Sequence, residues 1–232
     1  MARAMRFQNR RDAGRHLAAL LRSAGFGSKN PLVLALPRGG VPVGYEVARA
    51  LRAPLDVFVV RKLGAPGHEE LALGAVSSNG VRILNQDVVE ALGVPADIID
   101  AVAARELLEL ERRERAYREG RPAPPVWGRT VILVDDGLAT GATMRAAVAA
   151  LRRSEPAQIV VAVPVASPAA YDEFSREVDA IACVFTPEPF HAVGLWYQDF
   201  TQTEDEEVRD LLGRSSREIG PEAPAFAQAS PS

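Results

Sequence analysis

Residues 131 to 143, Val-Ile-Leu-Val-Asp-Asp-Gly-Leu-Ala-Thr-Gly-Ala-Thr, constrain the fold of this chain more than any other stretch. Four apolar residues with a β-branched bias, Val131 to Val134, predict a fully buried strand, and Met144 to Leu151 continues as an Ala-rich helix. The loop between them therefore sits at a helix N-terminus. There, unpaired backbone N–H groups and the positive end of the helix dipole favour a phosphate, and Thr140 and Thr143 can add hydroxyl donors. Asp135 and Asp136 stand immediately before that cradle and would repel a bare phosphate. The expected ligand thus carries hydroxyls or a metal beside its phosphate, as a sugar phosphate does.

The rest of the chain alternates strand and helix. Leu32 to Leu36 and Leu55 to Val60 read as strands around a helix at Val43 to Leu51. Gly64 to Val76 reads as a Gly-containing loop ending near a short strand. Helices follow at Asp87 to Leu92 and Ala96 to Glu119, the second charged on one face. Beyond the signature come a strand at Ile159 to Val165, a helix at Pro168 to Glu177 and a strand at Ala180 to Phe185. Strands separated by helices of this length predict an α/β fold, a parallel sheet flanked by helices on both faces with right-handed crossovers. Ligands on such sheets bind at the carboxyl ends of the strands.

That rule selects further site candidates. Leu36-Pro37-Arg38-Gly39-Gly40 follows the first apolar strand: Arg38 offers a planar, permanently charged donor fork, and Gly39 and Gly40 let backbone N–H groups approach an anion. Arg61-Lys62-Leu63-Gly64 closes the next strand. Lys29 and Lys62 are the only lysines among 27 basic residues, so Lys62 is not part of a general lysine coat.

Several chemistries are excluded. A Walker loop needs Lys before its last Ser/Thr, where this chain has Ala142, and neither G-x-G-x-x-G after a strand nor a G-x-S-x-G elbow is present. A sugar-phosphate hydrolase is disfavoured because no nucleophile–base pair or metal-ligand cluster emerges. The net charge of −3 gives no general attraction to nucleic acid. The single cysteine, Cys183, lies in an apolar run, reads as a buried inert thiol and is compatible with a reducing cytoplasm. No apolar run approaches the roughly 20 residues a membrane helix needs, and the Arg-rich opening reads as a strand-like start and an amphipathic helix. With 232 residues and 47% hydrophobic content, one domain is expected.

The 131–143 stretch resembles the 5-phosphoribosyl-1-pyrophosphate (PRPP) motif of type I phosphoribosyltransferases: four hydrophobics, two acids, then Thr-Gly-x-Thr. The resemblance implies that fold, with a small C-terminal hood. It implies that Asp135 and Asp136 hold the ribose 2′- and 3′-hydroxyls and that Gly137, Leu138, Ala139, Thr140, Gly141, Ala142 and Thr143 lie at the PRPP site, with Leu138 to Thr143 around the 5′-phosphate. Arg38, Gly39 and Gly40 would form the pyrophosphate loop. Adenine phosphoribosyltransferases carry a similar Arg-Lys-x-Gly, which by analogy puts Lys62 and Arg61 on pyrophosphate and makes Gly64 to Asn79 a lid, carrying His68, Glu69 and Glu70. Ala139 stands where hypoxanthine-guanine enzymes place an acid before Thr-Gly, which makes a 6-oxopurine acceptor less expected.

From Phe7 to about Leu212 the chain is most similar to a bacterial group of phosphoribosyltransferases of unassigned acceptor, through LPRGGVPVG, RKLGAPGHEELALGAV, VDDGLATGAT and PEPFHAVGLWYQDF. The implied organisation is a transferase domain over 1–212, with a hood including 186–200, and a disordered tail over 213–232. Phe190, Trp196 and Tyr197 in the hood could stack a planar base or pack the hood and a subunit interface, with a homodimer left open. The implied reaction is transfer of the phosphoribosyl group of PRPP to a nitrogen acceptor, with Arg38, Lys62, Asp135 and Asp136 as the catalytic set. Mg²⁺ would be held mainly through PRPP rather than by protein ligands. A non-catalytic PRPP or nucleotide sensor is the alternative.

Overall fold

The computed structural model describes residues 6–28 and 30–219. Its centre is a five-stranded, all-parallel sheet in the order β2-β1-β6-β7-β8, formed by β1 (Pro31–Ala35), β2 (Leu55–Val57), β6 (Thr130–Val134), β7 (Gln158–Val165) and β8 (Ala180–Phe185). Side chains alternate across each strand, so consecutive apolar residues serve opposite faces. On one face Val131, Leu133, Ile159 and Val161 pack with α5 (Ala142–Arg152) and α6 (Pro168–Glu177). On the other, Ile132, Val134, Val160 and Ala162 meet Leu17 and Leu21 of α1 (Arg10–Ser23) and Val43 and Val47 of α2 (Gly40–Leu51). Burial on both faces is why these strands are continuous apolar runs.

A second, antiparallel sheet holds β3 (Val60–Ala65), β4 (His68–Ser77) and β5 (Arg82–Leu84) in that order. It corrects two expectations. The strand expected over Leu55–Val60 is split, because Phe58 N–H donates to the Ala35 carbonyl and Val59 N–H to Ser78 Oγ (2.6 Å), which carries the chain out of the main sheet. The segment expected as an irregular lid over Gly64–Asn79 is largely a hairpin turning at Pro66-Gly67. Leu63, Ala65, Leu73 and Val76 are buried in the core they share with α4 (Ala96–Arg118). The side chains of Glu69 and Glu70 lie outside the described residues.

The helical insertion, α3 (Gln86–Leu92) and α4, forms as expected. Arg118 ties α4 to the main sheet through Asp56, with Nε 2.9 Å from the carboxylate. The chain ends its described part in α7 (Asp205–Ile219), whose Val208, Leu211, Leu212 and Ser215 are buried. Residues 213–219, expected in the disordered tail, therefore belong to this helix; 220–232 lie outside the described residues. Among the described residues no helix is long and apolar enough to cross a membrane.

Candidate functional site

The carboxyl ends of β1 and β6 lie side by side, because Pro31 to Ala35 pair in register with Thr130 to Val134 and Leu36 N–H continues the ladder to the Val134 carbonyl at 2.9 Å. The chain leaving β1 therefore runs against the chain leaving β6. Gly39 is needed there: a Cβ at that position would stand 2.1 Å from Asp136 Oδ2, and one at Gly40 would stand 2.7 Å from the Val134 carbonyl oxygen. The Pro37–Arg38 peptide is cis.

The signature loop takes the expected place before α5. Leu138 N–H donates to Val165 (2.9 Å), and Ser167 N–H and Oγ donate to the carbonyls of Leu138 and Ala139, both at 2.8 Å, fastening the loop to the end of β7. Gly141 caps α5 in the left-handed conformation at φ 73°. Ala139, Thr140, Ala142 and Thr143 are all exposed, so the first turn of α5 opens its backbone N–H groups to an anion.

Behind this open cradle the two acids are largely enclosed. Asp135 Oδ1 accepts the Asp136 N–H at 2.8 Å. Burial, compounded by the charge on Asp136, pushes the Asp135 carboxyl well above the usual carboxylate range. Burial also raises Asp136, against the opposing pull of Arg10.

Arg10 is the site residue that sequence reading missed. Its Nε donates to Asp136 Oδ2 at 2.8 Å, its Nη1 donates to the Thr201 carbonyl at 2.7 Å, and its guanidinium lies 3.9 Å from the Phe200 ring centroid. One side chain thus joins the first turn of α1, an acid of the signature and the segment after β8. The only advance signal was an arginine-rich amphipathic helix, which describes many ordinary surface helices.

Tyr197 strengthens the same junction, donating its hydroxyl to the Asp136 carbonyl at 2.5 Å. Its ring is 4% exposed and packs against Phe7 and Phe200, which leaves it little face for a stacking ligand. Phe190 and Trp196 are half-buried; Trp196 packs edge-on against Phe185, and its Nε1 is buried without a hydrogen-bond partner.

The cationic candidates are not gathered on the acids. Arg38 Nη1 lies 3.5 Å from Glu204 Oε2 and 3.8 Å from Asp205 Oδ1, at the start of α7. Arg61 Nε donates to Glu106 of α4 at 2.6 Å. Lys62 is exposed on β3 beside it. His16 is exposed on α1, and Cys183 donates to the Phe185 carbonyl at 3.2 Å, its thiol pushed up to about 12 by burial.

Arg10→Ala should cost roughly 3 kcal/mol at neutral pH, the scale for stripping one partner from a largely buried ion pair. Without Arg10 the folded-state affinity of Asp136 for a proton rises further, so the penalty should shrink as pH falls and Asp136 protonates. Thermal melts of both proteins between pH 5 and 8 check this; a pH-independent difference would mean that Arg10 acts through packing alone.

A parallel sheet covered on both faces, with paired acids and an open helix N-terminus meeting at its carboxyl edge, is an α/β arrangement suited to a sugar phosphate. Residues 6–184 match the phosphoribosyl transferase domain, and the chain belongs to that family. It is 46% identical over 225 residues to a protein of Mycobacterium tuberculosis H37Rv provisionally named a phosphoribosyl transferase; the match covers 97% of this chain and 50% of that protein, so the chain spans about half the length of this relative. It is 31% identical over 138 residues to the bifunctional protein PyrR of Deinococcus radiodurans, covering 56% of this chain and 74% of the relative. The crystal structure of TT1426 from Thermus thermophilus superposes with a TM-score of 0.79 at 44% identity, covering 90% of this chain and 98% of that one.

Proposed function

We propose that the chain transfers the 5-phosphoribosyl group of PRPP to a ring nitrogen of a heterocyclic acceptor. The observation that carries this reading is the convergence of Asp135 and Asp136, the open first turn of α5 and the glycine loop 38–40 on one strand edge. Ribose hydroxyls are then accepted by the two carboxylates, and the 5′-phosphate by the N–H groups and hydroxyls of residues 138–143.

In the reaction, the acceptor nitrogen forms a bond to the anomeric carbon while the bond from that carbon to the pyrophosphate oxygen breaks, its electron pair leaving with pyrophosphate. Asp135 and Asp136 would place negative charge beside a ribose that becomes cation-like, and Arg38, from the loop after β1, and Lys62, from β3, would stabilise the departing pyrophosphate. Asp135 and Asp136 are carboxylates at this edge that could contact a Mg²⁺ carried in by PRPP, whose oxygens and water would supply most of its ligands. When bound, Mg²⁺ would offset the charge of the pyrophosphate. Phe190 and Trp196 are the hood aromatics left for the acceptor.

A PRPP sensor without turnover is the second reading, supported by the engagement of Arg38 with Glu204 and Asp205 and of Arg61 with Glu106. One experiment separates them. Protein, PRPP and Mg²⁺ are incubated with a panel of nucleobases while pyrophosphate release is followed, and PRPP binding is measured in parallel. Acceptor-dependent release, with an acceptor weakened by Trp196→Ala at unchanged PRPP affinity, is the expected result; stacking on an aromatic contributes about 1–3 kcal/mol per base. PRPP binding without release for any acceptor would select the sensor, and no PRPP binding would reject both.

A further inference from the structure

Arg10 occupies the first position of α1, where a cation faces the positive end of the helix dipole, so helix formation gives no reason for it. Its place is set by pairing with a distant part of the chain. Just before the helix, Phe7 N–H donates to the Trp196 carbonyl at 2.9 Å, and the N–H groups of Gln198 and Asp199 donate to the Phe7 and Gln8 carbonyls at 2.8 and 3.0 Å. Asn9 then starts the helix, its side chain accepting the Asp12 N–H at 3.0 Å. The turn carrying Arg10 is thus fixed on both sides, and its side chain reaches the acids after β6 with only 11% of its surface exposed.

The guanidinium works as a fork. One arm, Nε, donates to Asp136 Oδ2, the other, Nη1, to the Thr201 carbonyl, and the Phe200 ring covers its face. Asp136 is held at its backbone as well, by Asp135 Oδ1 on its N–H and by the Tyr197 hydroxyl on its carbonyl. Gly39 closes in on the same carboxylate oxygen, since a Cβ there would stand 2.1 Å from Asp136 Oδ2 and 3.2 Å from Arg10 Nε. A carboxylate pinned in this way keeps one orientation and meets a ligand already ordered. Stability alone does not account for the arrangement, because a buried ion pair is commonly no more stabilising than apolar side chains of similar volume.

We propose that Arg10 is the positioning residue of the ribose site: its fork holds Asp136 in the orientation that accepts a ribose hydroxyl and ties that orientation to hood residue Thr201. The inference rests on the reading of Asp135 and Asp136 as ribose ligands. It adds a residue of α1 that acts through Asp136 rather than on the ligand itself.

The full chain as wild type, Arg10→Ala and Arg10→Lys is titrated with ribose 5-phosphate, inorganic phosphate and Mg²⁺-PRPP, followed by NMR so that weak binding is read, with a thermal melt of each protein. Lysine keeps a cation beside Asp136 but has no planar fork to bridge to Thr201, so this variant should melt closer to wild type than the alanine variant does. Ribose 5-phosphate affinity should fall by about tenfold or more in Arg10→Ala and about threefold or more in Arg10→Lys. Inorganic phosphate needs only the first turn of α5 and should bind all three proteins alike. A purely structural role would not produce this selectivity, and if the alanine variant does not fold, the lysine variant decides alone. Wild-type ribose 5-phosphate affinity in folded Arg10→Lys, or an equal loss for inorganic phosphate, overturns the proposal. PRPP and ribose 5-phosphate binding that both survive the substitutions would remove the role of Arg10 and leave the PRPP reading intact. Selective loss of ribose 5-phosphate in a protein whose wild type binds no PRPP would keep the role of Arg10 and remove the transferase reading. Absence of binding of either sugar phosphate to wild type rejects both.

Discussion

Asp135→Asn is expected to weaken PRPP binding by tenfold or more while making the ligand-free protein more stable at neutral pH. The affinity loss follows from replacing a charged acceptor of ribose hydroxyl hydrogen bonds with a neutral one, a difference of roughly 1.5–3 kcal/mol. The stability gain follows from the direction of the Asp135 shift. Burial and the neighbouring Asp136 raise its folded-state value above the ordinary 3.8, so the folded protein binds the proton more tightly than the unfolded chain. Stability is then lost as pH rises from about the unfolded value through the folded one, and the full deficit is present above both. Asparagine removes the deficit and keeps an Oδ1 to accept the Asp136 N–H. The difference in melting temperature between variant and wild type should therefore be small near pH 4 and grow toward pH 7. In the Asp135→Asn/Asp136→Asn double variant PRPP binding should be undetectable, although there the gain is partly offset because Arg10 loses its ionic partner. Unchanged PRPP affinity in the folded double variant would remove the ribose site from this strand edge.

How much of this is legible in the sequence depends on how local each feature is. β6, its acids and the loop before α5 are contiguous, so strand, loop and helix start can be read from neighbouring residues, and the structure has them in that order. α4 is legible for the same reason, as 23 residues of one periodic helix. The β3–β4 hairpin is not, because glycine and alanine at Gly64, Ala65, Ala72, Gly74 and Ala75 mask a strand alternation that only burial of Leu63 and Leu73 reveals. α7 is not read from the sequence, where the stretch after Gly213 looks like a polar tail; its buried face continues past Leu212 through a small polar residue, Ser215. Arg10 meets an acid 126 residues away, and no local pattern encodes that contact. The pairing of Arg38 with the start of α7 is hidden in the same way, since it depends on where a distant helix docks.

Gly141→Ala should be among the most damaging single substitutions outside the acids, because it combines backbone strain with a clash in the core. Gly141 sits at φ 73°, where an L-residue pays about 1–2 kcal/mol. Its Cβ would stand 2.4 Å from Cε2 of Phe174, a ring that is 0% exposed and packed among the residues joining α5 and α6 to the sheet. Forcing an extra methyl into such packing costs about 1–3 kcal/mol, while the reduced freedom of the unfolded chain returns about 0.4–1. A net loss of about 2–4 kcal/mol lowers the melting temperature by roughly 4–16 °C in a domain of this size. Because Gly141 caps α5, the same displacement turns the N–H groups of the first turn away from the phosphate position. Ribose 5-phosphate affinity, measured well below the melting point where the variant is still folded, should therefore fall as well. Phe174→Leu removes the ring edge and separates the two causes: in a double-mutant cycle it should recover the steric share of the loss in the alanine background and leave the backbone share and the weakened phosphate binding in place. A Gly141→Ala protein with wild-type stability and wild-type ribose 5-phosphate affinity would mean that the phosphate does not sit at the start of α5.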